Sequence, residues 1–193
     1  MNTRGRIVAA ARELHAQGGL EGLSVRKVAA AVGLSPMALY RHFADKDALL
    51  DALVLDGLDA WRARVEALPP DRPLAWLQAV GDAFLDFALD EPRRFEAAFL
   101  LRAASARRYP EDFREGRSPP VRLIIDQVRR AQAEGALVES PPEELALGIW
   151  AMAQGMISLW RAGRFTDEAA FRQVYRRALE RTLRSFATET GPS

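Results

Sequence analysis

The chain contains no cysteine and two histidines. The first absence excludes a disulfide framework, a thiolate nucleophile and any cysteine-ligated metal. No glycine-rich phosphate loop, His-Glu-x-x-His helix or Gly-x-Ser-x-Gly turn occurs, so the usual starting points for phosphoryl, metal-assisted and serine chemistry are missing. Asp82, Asp86 and Asp90 recur at i, i+4, i+8, a spacing that places them on one helical face and reads as a solvated face rather than a cation site. His15 lies beside an apolar stripe and reads as a surface or partly packed residue. No apolar run approaches the roughly 20 residues of a membrane span. The N-terminal stretch MNTRGRIVAAARELHAQ lacks the apolar core and small-residue cleavage site of a secretory signal. These absences point to a cytoplasmic chain that is neither enzyme nor membrane protein, and no cofactor is expected.

An excess of one charge is also missing. Lys and Arg total 27 against 26 Asp and Glu, a formal net charge of +1. The distribution is more informative than the sum. Residues 1–50 hold seven basic against four acidic side chains and the remainder twenty against twenty-two, so the two parts carry +3 and −2. The basic excess coincides with the one stretch whose pattern suits nucleic acid.

That stretch is Ser24 to Asp47, SVRKVAAAVGLSPMALYRHFADKD. Ser24 can cap a first helix over Val25 to Val32, since its side-chain oxygen can accept an orphan N–H of the first turn. Gly33 ends that helix. Ser35 caps a second, with Pro36 at the first helical position, where its missing N–H costs nothing. Two helices meeting across a short Gly-containing turn form the helix-turn-helix pattern. At 100° per residue Val25, Val28, Ala29 and Val32 share the buried face of the first helix, and Leu39 and Phe43 that of the second. Met37, Ala38 and Arg41 point outward, with Tyr40 and His42 on opposite flanks. A helix so distributed fits the DNA major groove, its crest toward base edges and its flanks toward the phosphate walls. Asp45 can cap the following helix, whose first-turn Lys46 can reach a phosphate.

The R-x-x-A-x-x-x-G-L-S run, the L-Y-x-H-F signature and the x-K-x-x-L-L that follows resemble the DNA-binding domain of the tetracycline-repressor-like (TetR) family of one-component regulators. The resemblance spans roughly residues 4 to 55. It implies that Arg26, Ser35, Met37, Ala38, Tyr40, His42 and Lys46 lie at a DNA surface. With the flanking caps and cations the candidate contacts are Ser24, Arg26, Lys27, Ser35, Pro36, Met37, Ala38, Tyr40, Arg41, His42 and Lys46. Met37 and Ala38 are apolar, so readout would lean on thymine methyl groups and on Arg26.

The rest of the chain reads as all-α. Arg4 to Gln17 is a helix with Ile7, Ala10, Ala11 and Leu14 as its buried stripe, ended by Gly18-Gly19, and Leu20 and Leu23 are expected to pack beneath the next helix. A three-helix DNA-binding domain over 1–47 is thus expected, joined by a continuous helix from Asp45 to about Leu68 to a helical ligand-binding and dimerisation domain over 48–193. That continuity offers a mechanical path between body and head. Further helices are expected over Pro73 to Leu89, around Phe95 to Leu100, over Val121 to Glu134, from a Ser140-capped start to Trp160, and over Asp167 to Ala187. The polar stretch Arg102 to Pro120 reads as a loop.

Between Glu143 and Trp160 twelve of eighteen residues are apolar and surround nearly the whole helix. Such a helix must be covered on several sides. The last helix adds a broad stripe, with its arginines read as a solvated rim. Too few helices remain to cover both, so a two-fold pairing into a four-helix bundle is expected, with Trp150, Ile157, Val174, Ala178, Leu179, Leu183 and Phe186 as the candidate homodimer interface. The segments LDFALDEPRRFEAAF and IWAMAQGMISLWRAG resemble a TetR C-terminal domain type marked by Trp, His and Gly along one helix; here Trp150 and Gly155 are present and Gln154 stands in place of the histidine. Candidate pocket residues for a small-molecule effector of apolar or aromatic character are Trp76, Phe84, Phe87, Phe95, Phe99, Met152, Gln154, Met156 and Ser158, against the simpler reading that they are core. The functional expectation is a dimeric repressor of a near-palindromic double-stranded DNA operator, released by that effector. The alternatives are a ligand-independent or architectural DNA binder and a repressor controlled by a protein partner.

Overall fold

The computed structural model of the chain describes residues 2–69, 71–101, 109, 111–114 and 119–188. Among these the regular elements are helices, and the one β contact is an isolated bridge between Leu137 and Ala187. In chain order they are α1 (Thr3–Gly22), α2 (Val25–Ala31), α3 (Pro36–Tyr40), α4 (Lys46–Glu66), α5 (Pro73–Asp90), α6 (Pro92–Phe99), α7 (Glu111–Arg114), α8 (Pro119–Ala133), α9 (Pro142–Arg161) and α10 (Glu168–Phe186). No described helix is long and apolar enough to cross a membrane. Of the stretch read as a loop over 102–120, residues 102–108, 110 and 115–118 lie outside the described residues. Its described part contains the helical turn α7 and the start of α8, so the turn-forming composition there does not exclude helix.

Two compact units can be distinguished: Met1–Trp61 with Asp90–Ala106, and Arg62–Leu89 with Arg107–Ser193. In the first, Asn2 caps α1 by accepting from the Gly5 N–H at 2.8 Å. Its core is built from Ile7 and Ala11 of α1, Val28 and Ala29 of α2, Leu39, Phe43 and Leu49, Ala52 and Leu53 of α4, together with Leu23. The three-helix reading of this part therefore gains α4 as a fourth wall. Ala10 and Leu14 are partly buried against the same cluster. Leu20, expected beneath the next helix, is instead exposed at 37%. The left-handed backbone at Gly19 (φ 60°) turns the residue after it off the buried stripe, and only Leu23 returns to the core.

α4 and α6 approach closely at Gly57. A Cβ there would lie 2.9 Å from Ala98 Cβ and 3.0 Å from both the Ala98 nitrogen and the Arg94 carbonyl oxygen. Gly57→Ala therefore sets two effects against each other: a helix-propensity gain of up to about 1 kcal/mol and an overpacking cost of roughly 1–3 kcal/mol. Two of the three contacts are backbone atoms that cannot rotate away. We expect a net loss of about 1–2 kcal/mol, read as a lower denaturant midpoint at unchanged slope.

In the second unit α9 packs against both α8 and α10. Its buried residues are Leu145, Ala146, Ile149, Ala153 and Ile157, and those of α10 are Phe171, Tyr175, Leu179 and Leu183. Trp160 stacks on Phe171 with ring centroids 5.0 Å apart. The Tyr175 hydroxyl, buried, donates to the Gly81 carbonyl at 2.8 Å, and burial beside Asp82 and Asp86 pushes its pKa up. Gly81 is small because Leu179 of α10 fills the space a Cβ would need. Asp82 and Asp86 are engaged by Arg176 at 3.0 Å and Arg172 at 2.6 Å, so part of the arginine rim of α10 pairs with α5. The start of α9 differs from the expected Ser140 cap. Pro141 occupies the cap position and no side chain bonds the first turn. The Ser140 carbonyl instead accepts from Gln132 Nε2 at 2.8 Å. The turn that follows α8 contains Gly135, whose φ of 70° suits a residue without a side chain.

Candidate nucleic-acid interface

The helix-turn-helix is assembled by its own caps. Ser24 Oγ accepts from the Lys27 N–H at 3.2 Å, and Ser35 Oγ accepts from the Ala38 N–H at 3.1 Å, with Pro36 at the first turn of α3. Both serines thus use an acceptor lone pair locally and keep a hydroxyl proton to donate outward. Gly33 takes a left-handed φ of 70°, and the Leu34 N–H closes the turn on the Ala29 carbonyl at 2.9 Å. Asp45 accepts from the Ala48 N–H at 2.7 Å and so starts α4.

These caps hold α3 against the core by Leu39, which is fully buried, and by Phe43 just beyond it. The opposite side is open. Arg26, Lys27, Ser35, Pro36, Met37, Tyr40, Arg41, His42 and Lys46 are all exposed, and Ser24 and Ala38 partly so. Met37, at 78%, is the most exposed large hydrophobic side chain among the described residues, and Tyr40 beside it is 46% exposed.

Two residues that the helical pattern alone did not single out join this surface. The Arg4 guanidinium lies 4.6 Å over the Phe43 ring, and Arg6 Nη2 donates to the Val32 carbonyl at 3.2 Å. Both sit on the exposed side of α1, and the basic excess of the first fifty residues was the available signal. Arg4, Arg6, Arg26, Lys27, Arg41 and Lys46 are exposed, and among the described residues none meets a carboxylate at ion-pairing distance. A set of exposed cations without ion-pair partners in the unit that carries the helix-turn-helix is the electrostatic footprint of a polyanion site.

The other expected sites resolve differently. Trp76, Phe84, Phe87 and Phe95 are buried, Phe99, Met152, Gln154 and Met156 partly buried, and Ser158 is exposed. Phe95 and Phe99 belong to the first unit, where Phe99 packs edge-on to Trp61 at 6.2 Å; the others belong to the second. Of the expected interface residues, Ile157, Leu179 and Leu183 are already buried within the single chain. Trp150, Val174, Ala178 and Phe186 remain partly accessible. His15, expected at or near the surface, is 2% exposed, because α1 turns that side of its stripe inward.

Comparison with known proteins decides the family. A model described as bacterial regulatory proteins, tetR family, matches residues 7–53, and one described as tetracyclin repressor-like, C-terminal domain, matches residues 77–186, more than half of the chain. The chain belongs to the TetR family. This is a family of transcriptional regulators and not of enzymes. The N-terminal match encloses α2, α3 and their caps, and the C-terminal match encloses Trp150, Gln154 and Gly155. Among TetR-family relatives, the chain is 42% identical over 78 residues to the HTH-type transcriptional repressor DrrR1 of Streptomyces coeruleorubidus, covering 34% of this chain and 28% of that one. It is 32% identical over 101 residues to the class A tetracycline repressor protein from transposon 1721 of Escherichia coli, covering 52% and 42%. The matched part thus spans less than half the length of either relative. A solved protein of unknown function from Rhodococcus sp. RHA1 superimposes with a TM-score of 0.78 at 26% identity over 97% of both chains.

Proposed function

We propose that this chain is a repressor that binds a near-palindromic DNA operator as a homodimer and leaves it when a small apolar or aromatic effector binds the C-terminal body. The observation that carries the DNA reading is a conjunction in the first unit: exposed Met37 and Tyr40 on α3, and six exposed cations that meet no carboxylate at ion-pairing distance among the described residues. Met37 and Ala38 offer apolar contacts to thymine methyl groups, and Arg26 supplies hydrogen-bond donors to base edges. Tyr40, His42 and Lys46 meet phosphates and set the register. Repression is inferred from DrrR1 and the class A tetracycline repressor, both of which are repressors.

Dimerisation is supported by α9. No charged side chain occurs from Leu145 to Trp160, yet Ala151, Gly155, Ser158 and Leu159 are exposed in the single chain. A second copy related by a two-fold axis would cover this face and set two recognition helices about 34–36 Å apart, one turn of DNA. The effector reading draws on Gln154 and Gln127, whose amide oxygens are buried and have no hydrogen-bond partner among the described residues. Such an oxygen costs about 1–3 kcal/mol when left unmade, and an effector N–H or O–H would satisfy it.

The test is selection of bound fragments from the source genome with the purified protein, using Tyr40→Ala as control. Recovery of a near-palindrome that the variant loses is the expected result. On that site Lys46→Ala should weaken all sequences about equally and reduce the slope of log affinity against log salt by about 1. Tyr40→Ala removes a neutral phosphate contact, so affinity falls while the slope holds. Enrichment equal to that of the variant would overturn the placement of α3 in the groove.

A further inference from the structure

The first unit contains a cleft of about 490 Å³ that the DNA-binding surface does not use. Its walls come from α1, through Arg12, Glu13, His15 and Ala16, from α4, through Leu53 and Asp56, and from the junction of α5 with α6. The volume is that of a small-molecule site.

The charges around it can be cancelled one against another. Asp56 accepts from Arg12 at 3.2 Å and pairs with Arg94 at 3.1 Å. Arg94 also pairs with Glu91 at 3.2 Å, and Arg93 with Glu96 at 2.8 Å. Three guanidinium groups therefore face three carboxylates. Two further carboxylates line the cleft, Glu13 and Asp90; both are exposed, and no cation pairs with either among the described residues. The cleft thus carries two uncompensated negative charges over an apolar floor that includes Leu53 and Ala97.

A second and independent feature lies in the same wall. His15 is 2% exposed, and its Nε2 has no hydrogen-bond partner among the described residues. Burial lowers its pKa, an effect that Glu96 opposes and Arg93 reinforces, so the ring is neutral at pH 7, and in the tautomer that carries its proton on Nδ1 the Nε2 is free to accept. A buried polar atom left unpaired in a cleft wall is a vacancy for a donor. Anions are disfavoured by the net charge, since Arg12, Arg93 and Arg94 each already pair with a carboxylate. Of their buried nitrogens only Arg94 Nε is left without a hydrogen-bond partner among the described residues. A neutral apolar molecule would leave both Glu13 and Asp90 uncompensated.

We propose that this cleft binds a small organic cation, a protonated amine on an apolar body, whose ammonium group neutralises Glu13 and Asp90 and donates to His15 Nε2 while its body covers Leu53 and Ala97. The site belongs to the unit that carries α3 and is separate from the effector reading of the C-terminal body. It stands or falls independently of the operator.

The experiment titrates the full chain with phenethylamine, and in parallel with 2-phenylethanol and phenylacetate, which share the skeleton but are neutral and anionic. Binding is read from dissociation constants and from the His15 ring resonances, assigned with His42→Gln. The amine should saturate and shift His15, and the alcohol and acid should bind at least about tenfold more weakly. Glu13→Gln and Asp90→Asn, both on exposed side chains and outside the DNA surface, should each weaken the amine about tenfold while leaving operator affinity without amine unchanged. Equal binding of the three probes, no saturation by the amine, or undiminished amine binding in the double variant would each overturn the proposal.

Discussion

Gly155→Glu should separate the proposed dimer while leaving each protomer folded. Gly155 lies in the uncharged run of α9, it is exposed, and a Cβ built on it meets nothing within 4 Å. The glutamate therefore costs the single chain no contact, and replacing a mid-helix glycine adds about 0.5–1 kcal/mol of helix propensity. In a two-fold interface the effect reverses. An isologous contact brings position 155 of both copies into the same buried patch, so two carboxylates lose solvent and repel. Sedimentation or light scattering should report the mass of one chain, 21.4 kDa, in place of twice that. Operator affinity should then fall by roughly 10²–10⁴, the factor lost when the second half-site is no longer bound intramolecularly. A dimer that persists with operator affinity intact would move the interface away from α9. A charge at Leu179 could not make this test. Leu179 is fully buried and occupies the space beside Gly81, so Leu179→Glu would damage the protomer itself.

Leu39→Ala should abolish DNA binding through stability rather than contact. Leu39 has no solvent exposure and is the residue of α3 that ties this five-residue helix to the core of the first unit. Removing its side chain is expected to cost about 2–5 kcal/mol, the transfer term plus the cavity left behind. A helix this short has almost no stability of its own, because the nucleation cost is spread over too few hydrogen bonds. The loss therefore falls on the orientation of Met37 and Tyr40. Chemical denaturation should show the cost directly. Tyr40→Ala, one residue away but 46% exposed, should change stability by less than about 0.5 kcal/mol while weakening DNA binding. Comparable stability for the two variants would contradict the assignment of Leu39 to the core.

Local physical chemistry made much of the N-terminal unit readable from the chain itself. The caps at Ser24, Ser35 and Asp45, the turn at Gly33 and the inward set Val28, Ala29, Leu39 and Phe43 depend on neighbours within a few residues. Side-chain oxygens bond N–H groups three positions on, and apolar residues one turn apart share a face. The same reasoning placed most helix bodies within a turn of their ends. It failed where local signals compete. Two prolines after Ser140 shifted the cap to Pro141, and a left-handed Gly19 turned Leu20 to solvent.

What the tertiary structure decided are the facts that depend on residues distant in sequence. An apolar stripe shows that a helix is covered but not by what, so Ile157, Leu179 and Leu183 read as interface until the packing of α8, α9 and α10 accounted for them within one chain. Gly57 and Gly81 look like ordinary helical glycines, and only the approach of Ala98 and Leu179 gives them their reason. His15 is a lone histidine in any periodic reading. Its burial, its unpartnered nitrogen and the cancellation of charge around Asp56 exist only once α1, α4 and α6 have met. By itself the sequence determined the elements, the turn and the face that α3 presents, because those are set by bonds within one or two turns of chain. Which surfaces remain free, and which charges remain unpaired, were set by packing between helices that no local pattern encodes.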